Sequence, residues 1–240
     1  NWDNDPELHV EQLTMRFGGL TAISQLSFSA GRKEITALIG PNGHGKTTLL
    51  RTVSGLIRVR GGAIWLAGRR IDTIRPDEIV AEGIIHVPQG DLLFAEMSVF
   101  ENLRMGAFLP GAARREKDRL EEVFALLPKL KERRHQLAST LSGGERRMVG
   151  IGRGLMAGGR ILMLDEPSLG LAPIVIDQIY AVIQSLRQSG RTILIVEENA
   201  TRIAEIADVL HLLDNGEFAW SGSGRELLSR PELLATYLGS

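Results

Sequence analysis

Apolar and polar residues alternate along the first part of the chain, at the period of a strand with one buried face. The apolar members of this pattern include Leu8, Val10, Leu26 and Phe28. We expect them to lie in antiparallel strands, and a further strand is predicted at 63–67. A short apolar run at 34–39 breaks at a glycine-rich stretch, and a helix-like segment at 46–54 follows. This order predicts a strand, a loop and a helix that ends at Gly55.

Helical periodicity replaces the strand signals in the middle of the chain, from Pro88 to about Gly159. Apolar residues there recur at i, i+3, i+4 and i+7, as on one face of a helix. The clearest run consists of Leu120, Val123, Phe124 and Leu127. Pro128 should stop this run. We interpret the whole stretch as a helical insertion.

Strands and helices alternate again in the last part of the chain. The runs at 161–164 and 192–196 are short and uniformly apolar, as in strands that are buried on both faces of a parallel sheet. A helix is predicted after each run, at 175–186 and around 203–206, and the turn residues 214–216 predict a late hairpin. This alternation implies an α/β core, and we expect the chain to form a single domain.

Composition restricts the class of protein. The 240 residues are 43% hydrophobic and 24% charged, which is typical of a globular protein. The formal net charge is −1, so charge gives no support to a nucleic-acid partner. Because the chain has no cysteine, disulfide frameworks, thiolate metal sites and a cysteine nucleophile are excluded. The apolar runs fall far short of the roughly 18 residues that span a bilayer, and the polar N-terminal residues carry no signal-like run.

The glycine-rich loop carries the most specific chemistry. It reads Gly-Pro-Asn-Gly-His-Gly-Lys-Thr at 40–47, which matches the phosphate-binding pattern G-x-x-x-x-G-K-[ST] between a predicted strand and a predicted helix. Lys46 is placed to reach the β- and γ-phosphates, and the Thr47 hydroxyl to bind Mg²⁺. The alternative is an ordinary turn with an incidental lysine. The candidate nucleotide-binding residues here are Gly40, Pro41, Asn42, Gly43, His44, Gly45, Lys46, Thr47 and Thr48, and of these His44 should offer only its backbone N–H.

Two carboxylates directly follow the apolar run at 161–164. Asp165 and Glu166 should therefore lie at the carboxyl end of a core strand, where open α/β sheets place their sites. We predict that Asp165 helps to hold Mg²⁺ and that Glu166 orients or polarises the attacking water. Taken alone, such a pair is more often a helix cap or a solvated loop.

A second anion-binding device lies at the start of a helix that runs through Met148 and Ile151. It consists of Ser142, Gly143, Gly144 and Glu145. The same residues have the Ser-x-x-Glu spacing of a capping box, and both interpretations can hold together. The residues alone do not explain why one domain needs two phosphate sites.

Taken together, these motifs resemble those of an ABC transporter nucleotide-binding subunit, over essentially the whole chain. The segments are similar to a Walker A motif at 40–47, a Q-loop at Gln89, the family signature at 141–145 and a Walker B motif with its glutamate at 161–166. The resemblance implies an α/β fold with a P-loop NTPase (RecA-like) core. That core would span 1–88 and 160–240 and include an N-terminal antiparallel β subdomain, with a helical subdomain inserted at 89–159.

The resemblance also implies a mode of action. Two cassettes would pack head to tail around two ATP molecules, so that the signature of one subunit completes the site of the other. Gln89 would join Thr47 and Asp165 around Mg²⁺ and take part in catalysis. The implied partners are a second cassette, integral membrane permease subunits and, indirectly, an extracytoplasmic solute-binding protein. The implied place is the cytoplasmic face of the cell membrane.

Finer motifs are similar to the ATPases of branched-chain amino acid uptake systems and of the related urea and short amide importers. These motifs lie at 16–22, 88–90, 101–103, 166–173 and 237–239. By this resemblance, Phe17 would stack on adenine, although an aromatic residue that ends a strand is more often part of the core.

Two positions depart from the family pattern. Ala172 stands where many cassettes have an aspartate, and Glu198 stands where most have a histidine and this branch often a glutamine. A carboxylate near a γ-phosphate is repelled unless it is protonated or turned away. Glu198 therefore leaves open a weakly active nucleotide-binding regulator. An ABC-type ATPase with a role outside transport is a separate alternative.

Apolar side chains are frequent after Gln89. They are Leu92, Leu93, Phe94, Met97, Val99 and Phe100. Some of them should form a groove for a cytoplasmic helix of the permease. The alternative is that they fill the core of the helical insertion.

Overall fold

Strands and helices alternate through most of the chain in the computed structural model, which describes residues 6–90 and 92–238. The strands are β1 (Leu8–Phe17), β2 (Leu20–Ala30), β3 (Ile35–Ile39), β4 (Gly61–Leu66), β5 (Arg69–Arg70), β6 (Ile84–Val87), β7 (Ile161–Asp165), β8 (Thr192–Glu197), β9 (Val209–Asp214) and β10 (Glu217–Gly222). The helices are α1 (Lys46–Val53), α2 (Pro76–Glu82), α3 (Val99–Arg104), α4 (Pro110–Ala113), α5 (Glu116–Leu126), α6 (Pro128–Glu132), α7 (Gly143–Ala157), α8 (Pro173–Gln188), α9 (Ala200–Ala204), α10 (Gly224–Leu228) and α11 (Pro231–Leu238).

The larger sheet has six described strands in the order β10-β9-β3-β8-β7-β6. All neighbours pair in parallel except β9 and β10, which form an antiparallel hairpin. Every residue of β3, β7 and β8 is buried, because layers cover both faces of the sheet. The predicted buried strands and the late hairpin are therefore confirmed.

The smaller sheet contains the strands at the start of the chain, in the order β2-β1-β4-β5. All of its described pairs are antiparallel, as the alternating pattern predicts. Its apolar face packs with α1 against one side of the larger sheet, and Leu8, Val10 and Leu49 join one buried cluster there.

Alternate residues of the central strands point to two separate cores. In β7, Leu162 and Leu164 pack against the layer that contains α7 and α8. Ile161 and Met163 face the opposite side, toward α1 and the smaller sheet. The six-stranded sheet is thus the middle layer, and it holds the ends of β3, β7 and β8 side by side.

Helices occupy the chain between β6 and β7. The run that contains Leu120 and Val123 forms α5, which ends at Leu126. Pro128 stops that helix, but it is also the first residue of α6, a position where the missing N–H of proline has no intrahelical partner to lose. The division of the chain at 89–159 remains a prediction.

The sequence patterns missed some elements of the fold. The pattern gave no sign of β6 at the sheet edge, nor of the short α2 before it. None of the described helices combines the length and the apolar character that a membrane span requires. Residues 1–5, on which the absence of a signal rests, and Gly239 of the closing motif lie outside the described residues.

Candidate functional site

The loop between β3 and α1 follows a path that only glycine permits at two points. Gly40 has a φ of 153°, and a Cβ there would lie 2.1 Å from the carbonyl oxygen of Leu213. Gly45 has a φ of 105° and precedes α1, with the Ala22 carbonyl oxygen 2.7 Å from its hypothetical Cβ. The loop is therefore pressed against β9 and β2, and the first amides of α1 remain available to an anion.

Lys46 lies folded into this loop, and its side chain is almost fully buried. Its Nζ donates to the carbonyl oxygens of Gly40 at 2.6 Å and Pro41 at 3.1 Å. The same atom lies 3.6 Å from Oε1 of Glu166. An ammonium group held by neutral carbonyls can exchange them for phosphate oxygens, which are stronger acceptors because they are charged.

Thr47 and Asp165 meet where β7 ends beside α1. Oγ1 of Thr47 donates to Oδ1 of Asp165 at 3.1 Å. Burial raises the pKa of the Asp165 carboxyl, and the nearby charge of Glu166 adds to this effect, while the hydrogen bond from Thr47 opposes it. A hydroxyl and a carboxylate oxygen side by side are ligands that Mg²⁺ prefers, so these residues fit the ion.

Glu166 lies beside both Lys46 and Gln89. Nε2 of Gln89 donates to Oε2 of Glu166 at 3.1 Å. The glutamate is buried, and its backbone has a left-handed φ of 47°, which is rare outside glycine. A cleft of about 370 Å³, here named the Walker A cleft, brings these residues together. It is lined by Asn42, Gly43, Gly45, Lys46, Thr47, Thr48, Gln89, Glu166 and Leu169.

The signature residues lie elsewhere on the molecule. Ser142 is the N-cap of α7, and it forms a capping box in which the Ser142 N–H donates to Glu145 and the Glu145 N–H donates to Oγ of Ser142. Nε of Arg133 contacts Oε1 of Glu145 at 2.6 Å. Ser142, Gly144 and Glu145 line a separate cleft of about 420 Å³, and Gly143 lies next to Leu171. The capping interpretation is observed in the structure, and the Walker A cleft contains none of the described signature residues.

Three other candidate residues have distinct positions. Phe17 ends β1 and is 46% exposed, so it is not part of the core, and it is not among the described residues that line the Walker A cleft. Glu198 is exposed and lines a cleft of about 250 Å³ with Glu166. The side chain of His44, for which we expected only a backbone role, lies 2.9 Å from Oδ1 of Asp214. Pairing of β3 with β9 brings the turn at Asp214 beside the loop and explains that contact.

Sequence reasoning missed one buried acid near the site. Glu197 is the last residue of β8, directly before Glu198, and it is only 1% exposed. Its carboxylate accepts hydrogen bonds from Ser168, two residues after Glu166. The one available signal in the sequence was Glu197 itself, an acid that directly follows the apolar run 193–196, as Asp165 follows the run 161–164.

Comparison with known proteins gives the family of the chain. A family model described as ABC transporter matches residues 23–169. The chain is 39% identical over 236 residues to the high-affinity branched-chain amino acid transport ATP-binding protein BraG of Pseudomonas aeruginosa. The match covers 97% of this chain and 99% of that relative. The chain is 37% identical over 233 residues to a probable branched-chain amino acid transport ATP-binding protein, LivF of Archaeoglobus fulgidus, with 97% and 98% covered.

Solved structures give the same answer for the fold. A crystal structure of the ADP conformation of an ATP-binding cassette of an ABC transporter matches with a TM-score of 0.87 and 29% identity, over 98% of this chain and 100% of that one. A nucleotide-free ATP-binding cassette matches with a TM-score of 0.85 and 29% identity, over 96% and 98%. The chain therefore belongs to the ABC transporter family, as an ATP-binding cassette that hydrolyses ATP.

Proposed function

We propose that this chain is the ATP-hydrolysing subunit of an importer for branched-chain amino acids or related small polar solutes. One observation carries the proposal: five side chains converge beside the carboxyl ends of β3 and β7 in the larger sheet. They are Lys46, Thr47, Gln89, Asp165 and Glu166. The class of solute rests on the near full-length likeness to BraG and LivF, whose names give branched-chain amino acids.

The roles of the residues follow from their positions. Lys46 exchanges the loop carbonyls for the β- and γ-phosphates of ATP, and the loop amides hold the phosphate oxygens. Thr47, Asp165 and Gln89 would hold Mg²⁺, which would neutralise charge on the phosphates. Glu166 accepts a proton from the attacking water or orients it, with the amide of Gln89 holding its carboxylate.

The site needs a second cassette. The signature residues Ser142, Gly144 and Glu145 line a different cleft from the Walker A loop, and Gly143 lies between them in the chain, so these four residues are available to a nucleotide bound by another subunit. Head-to-tail packing of two cassettes would close each ATP between one Walker A loop and the other signature. Phe17, exposed at the end of β1, is available to stack on the adenine.

A membrane partner is supported by exposed apolar side chains near Gln89. Leu92 is 65% exposed and Phe94 48%, whereas Val99 is buried in the chain's own core. Met105 and Phe108 are also exposed, beside a further cleft that reaches His86. We infer that this surface receives a cytoplasmic helix of permease subunits, which places the cassette on the inner face of the membrane. An extracytoplasmic solute-binding protein would act through the permease, and no nucleic acid takes part.

Glu198 favours one second candidate, a weakly active nucleotide-binding regulator. Its carboxylate lines the same cleft as Glu166, at the position where most cassettes have a histidine. An ionised glutamate accepts hydrogen bonds but donates none to a γ-phosphate. A measured turnover close to that of the Glu166→Gln variant would favour the regulator over the motor.

Purification from native membranes tests the transport role. The chain should bring its permease subunits with it, and hydrolysis by the assembly should rise when a branched-chain amino acid and the solute-binding protein are added. A Lys46→Ala chain is the matched control, because it should keep the permease contact but lose the stimulated hydrolysis. The transport role would be contradicted if the chain were isolated with no membrane subunit and its ATPase activity did not depend on the solute or the solute-binding protein. That result would favour an ATPase with a role outside transport.

A further inference from the structure

Glu197 is a buried carboxylate with hydrogen-bond donors from two different loops. Oε1 accepts from the N–H of Ser168 at 3.0 Å, and Oε2 accepts from Oγ of Ser168 at 2.8 Å. Oε2 also accepts from the N–H of Glu198 at 3.3 Å. One side chain therefore connects the turn after β7 to the segment after β8.

Burial of this carboxylate is costly, and the three donors offset that cost. Burial raises the pKa of Glu197, and the nearby Glu166 charge adds to the rise, whereas the hydrogen bonds from Ser168 and Glu198 oppose it. An apolar residue would continue the pattern of β8 without this penalty. The acid at this position therefore has a role other than filling the core.

The turn that Glu197 binds is strained at its catalytic residue. Glu166 holds a left-handed φ of 47°, which persists in a non-glycine residue only where surrounding contacts fix it. Its N–H donates to the carbonyl oxygen of Val196, and its carbonyl oxygen accepts from Leu169. Ser168, between Glu166 and Leu169, is held by Glu197 through both its backbone and its side chain.

We propose that Glu197 is a positioning residue, which fixes the turn of Glu166 against the end of β8 and so sets the place of the catalytic carboxylate. Asp165 pairs with Val196 in the sheet, and this register places Glu197 beside Ser168. The inference rests on the proposed role of Glu166 in hydrolysis. The described hydrogen bonds of the Glu197 side chain go to Ser168 and Glu198 and to none of the residues proposed to bind ATP or Mg²⁺. Its loss should therefore change the rate of hydrolysis and leave ATP binding largely intact.

The sharpest variant is Glu197→Gln, which keeps the size of the side chain. The carboxylate accepts a backbone N–H on each oxygen, so the NH₂ group of glutamine must face the N–H of either Ser168 or Glu198. We expect kcat to fall about ten-fold, because small displacements of a catalytic group are costly, and KM for ATP to stay within about two-fold. Ser168→Ala removes one of the contacts and should give a smaller fall. The double variant should resemble Glu197→Gln alone, because both changes act on one contact.

Glu7→Gln is the matched control for a substitution of a buried acid. Glu7 is buried at the opposite part of the fold, paired with Arg32 at 3.2 Å and Arg160 at 3.5 Å. Its replacement should lower the melting temperature and leave kcat unchanged. A merely structural Glu197 would behave in the same way.

Steady-state kinetics of the full chain, with Glu166→Gln as a benchmark, separates the outcomes. If Glu166→Gln is inactive and Glu197→Gln keeps kcat within about two-fold of the parent, the positioning role is wrong while the proposed function stands. A large rise in KM for Glu197→Gln would also overturn it, since Glu197 would then support the whole nucleotide cleft. Full turnover by Glu166→Gln would refute the proposed role of Glu166 itself, and the inference with it.

Discussion

Gly40 and Gly43 lie in the same loop, both at positive φ, yet they differ in the space around them. A Cβ at Gly40 would lie 2.1 Å from the carbonyl oxygen of Leu213, far inside the 3.4 Å at which ordinary van der Waals contact begins. A Cβ at Gly43 would meet no atom within 4 Å. Alanine at either position therefore has a backbone penalty, but only Gly40→Ala must also displace backbone of β9.

The difference in stability follows from that contact. A backbone at these positive φ values costs alanine about 1–3 kcal/mol at each position. Overpacking adds about 2–3 kcal/mol at Gly40 alone, because the obstacle is the Leu213 carbonyl, in a strand that pairs with β10. A chain of this length loses about 2–4 °C of melting temperature per kcal/mol, so Gly40→Ala should melt roughly 4–12 °C below Gly43→Ala.

Thermal unfolding without nucleotide is the assay, because Gly43 faces the nucleotide cleft and ligand would confuse the comparison. Circular dichroism at low temperature should give the same helix and strand content for both variants and the parent. Melting temperatures of the two variants within about 2 °C of each other would refute the close approach of Gly40 to Leu213.

Three further predictions concern charge. Asp165→Asn should raise the melting temperature near neutral pH yet abolish Mg²⁺-dependent turnover. Burial raises the pKa of Asp165 above 3.8, so ionisation of this carboxyl destabilises the fold as the pH rises above 3.8. The melting temperatures of parent and variant should therefore converge below pH 3.8. Glu198→Gln should increase turnover with little change in ATP affinity, since the amide restores a donor, and slower steady-state hydrolysis would show that the carboxylate takes an active part. His211 has a pKa lowered by burial from 6.5 to about 4, so the unfolded state takes up its proton first as pH falls. Relative to His211→Gln, the parent should lose on the order of 3 kcal/mol of unfolding free energy between those pH values in urea titrations.

The sequence predicted best where the pattern was local. The runs that form β7 and β8 are uniformly apolar, and the glycine-rich loop has an explicit residue spacing, so the two strands and the order of strand, loop and helix around that loop were identified correctly. Strand β6 was missed because it has four residues, one of them His86, and its burial depends on pairing with β7. That pairing is a tertiary property that no short window of sequence contains.

Contacts between distant residues could not be predicted for the same reason. His44 meets Asp214 only because β9 pairs with β3 in the sheet. Glu197 reaches Ser168 only because of the register between β7 and β8. A shift of one residue would turn the Glu197 side chain to the other face of the sheet, so its identity as an acid was visible but its partner was not.

Trapping of an ATP-bound dimer tests the two-cassette site most directly. Glu166→Gln keeps the shape of the side chain beside Gln89, but the amide cannot accept a proton from water. The variant should therefore bind Mg-ATP and hydrolyse it very slowly. In size-exclusion chromatography with light scattering it should elute as a dimer. Addition of Ser142→Arg should abolish that dimer, because a bulky side chain would block the signature from the partner's nucleotide. A Glu166→Gln chain that stays monomeric with Mg-ATP and hydrolyses it at the parent rate would contradict both the catalytic role of Glu166 and the shared site.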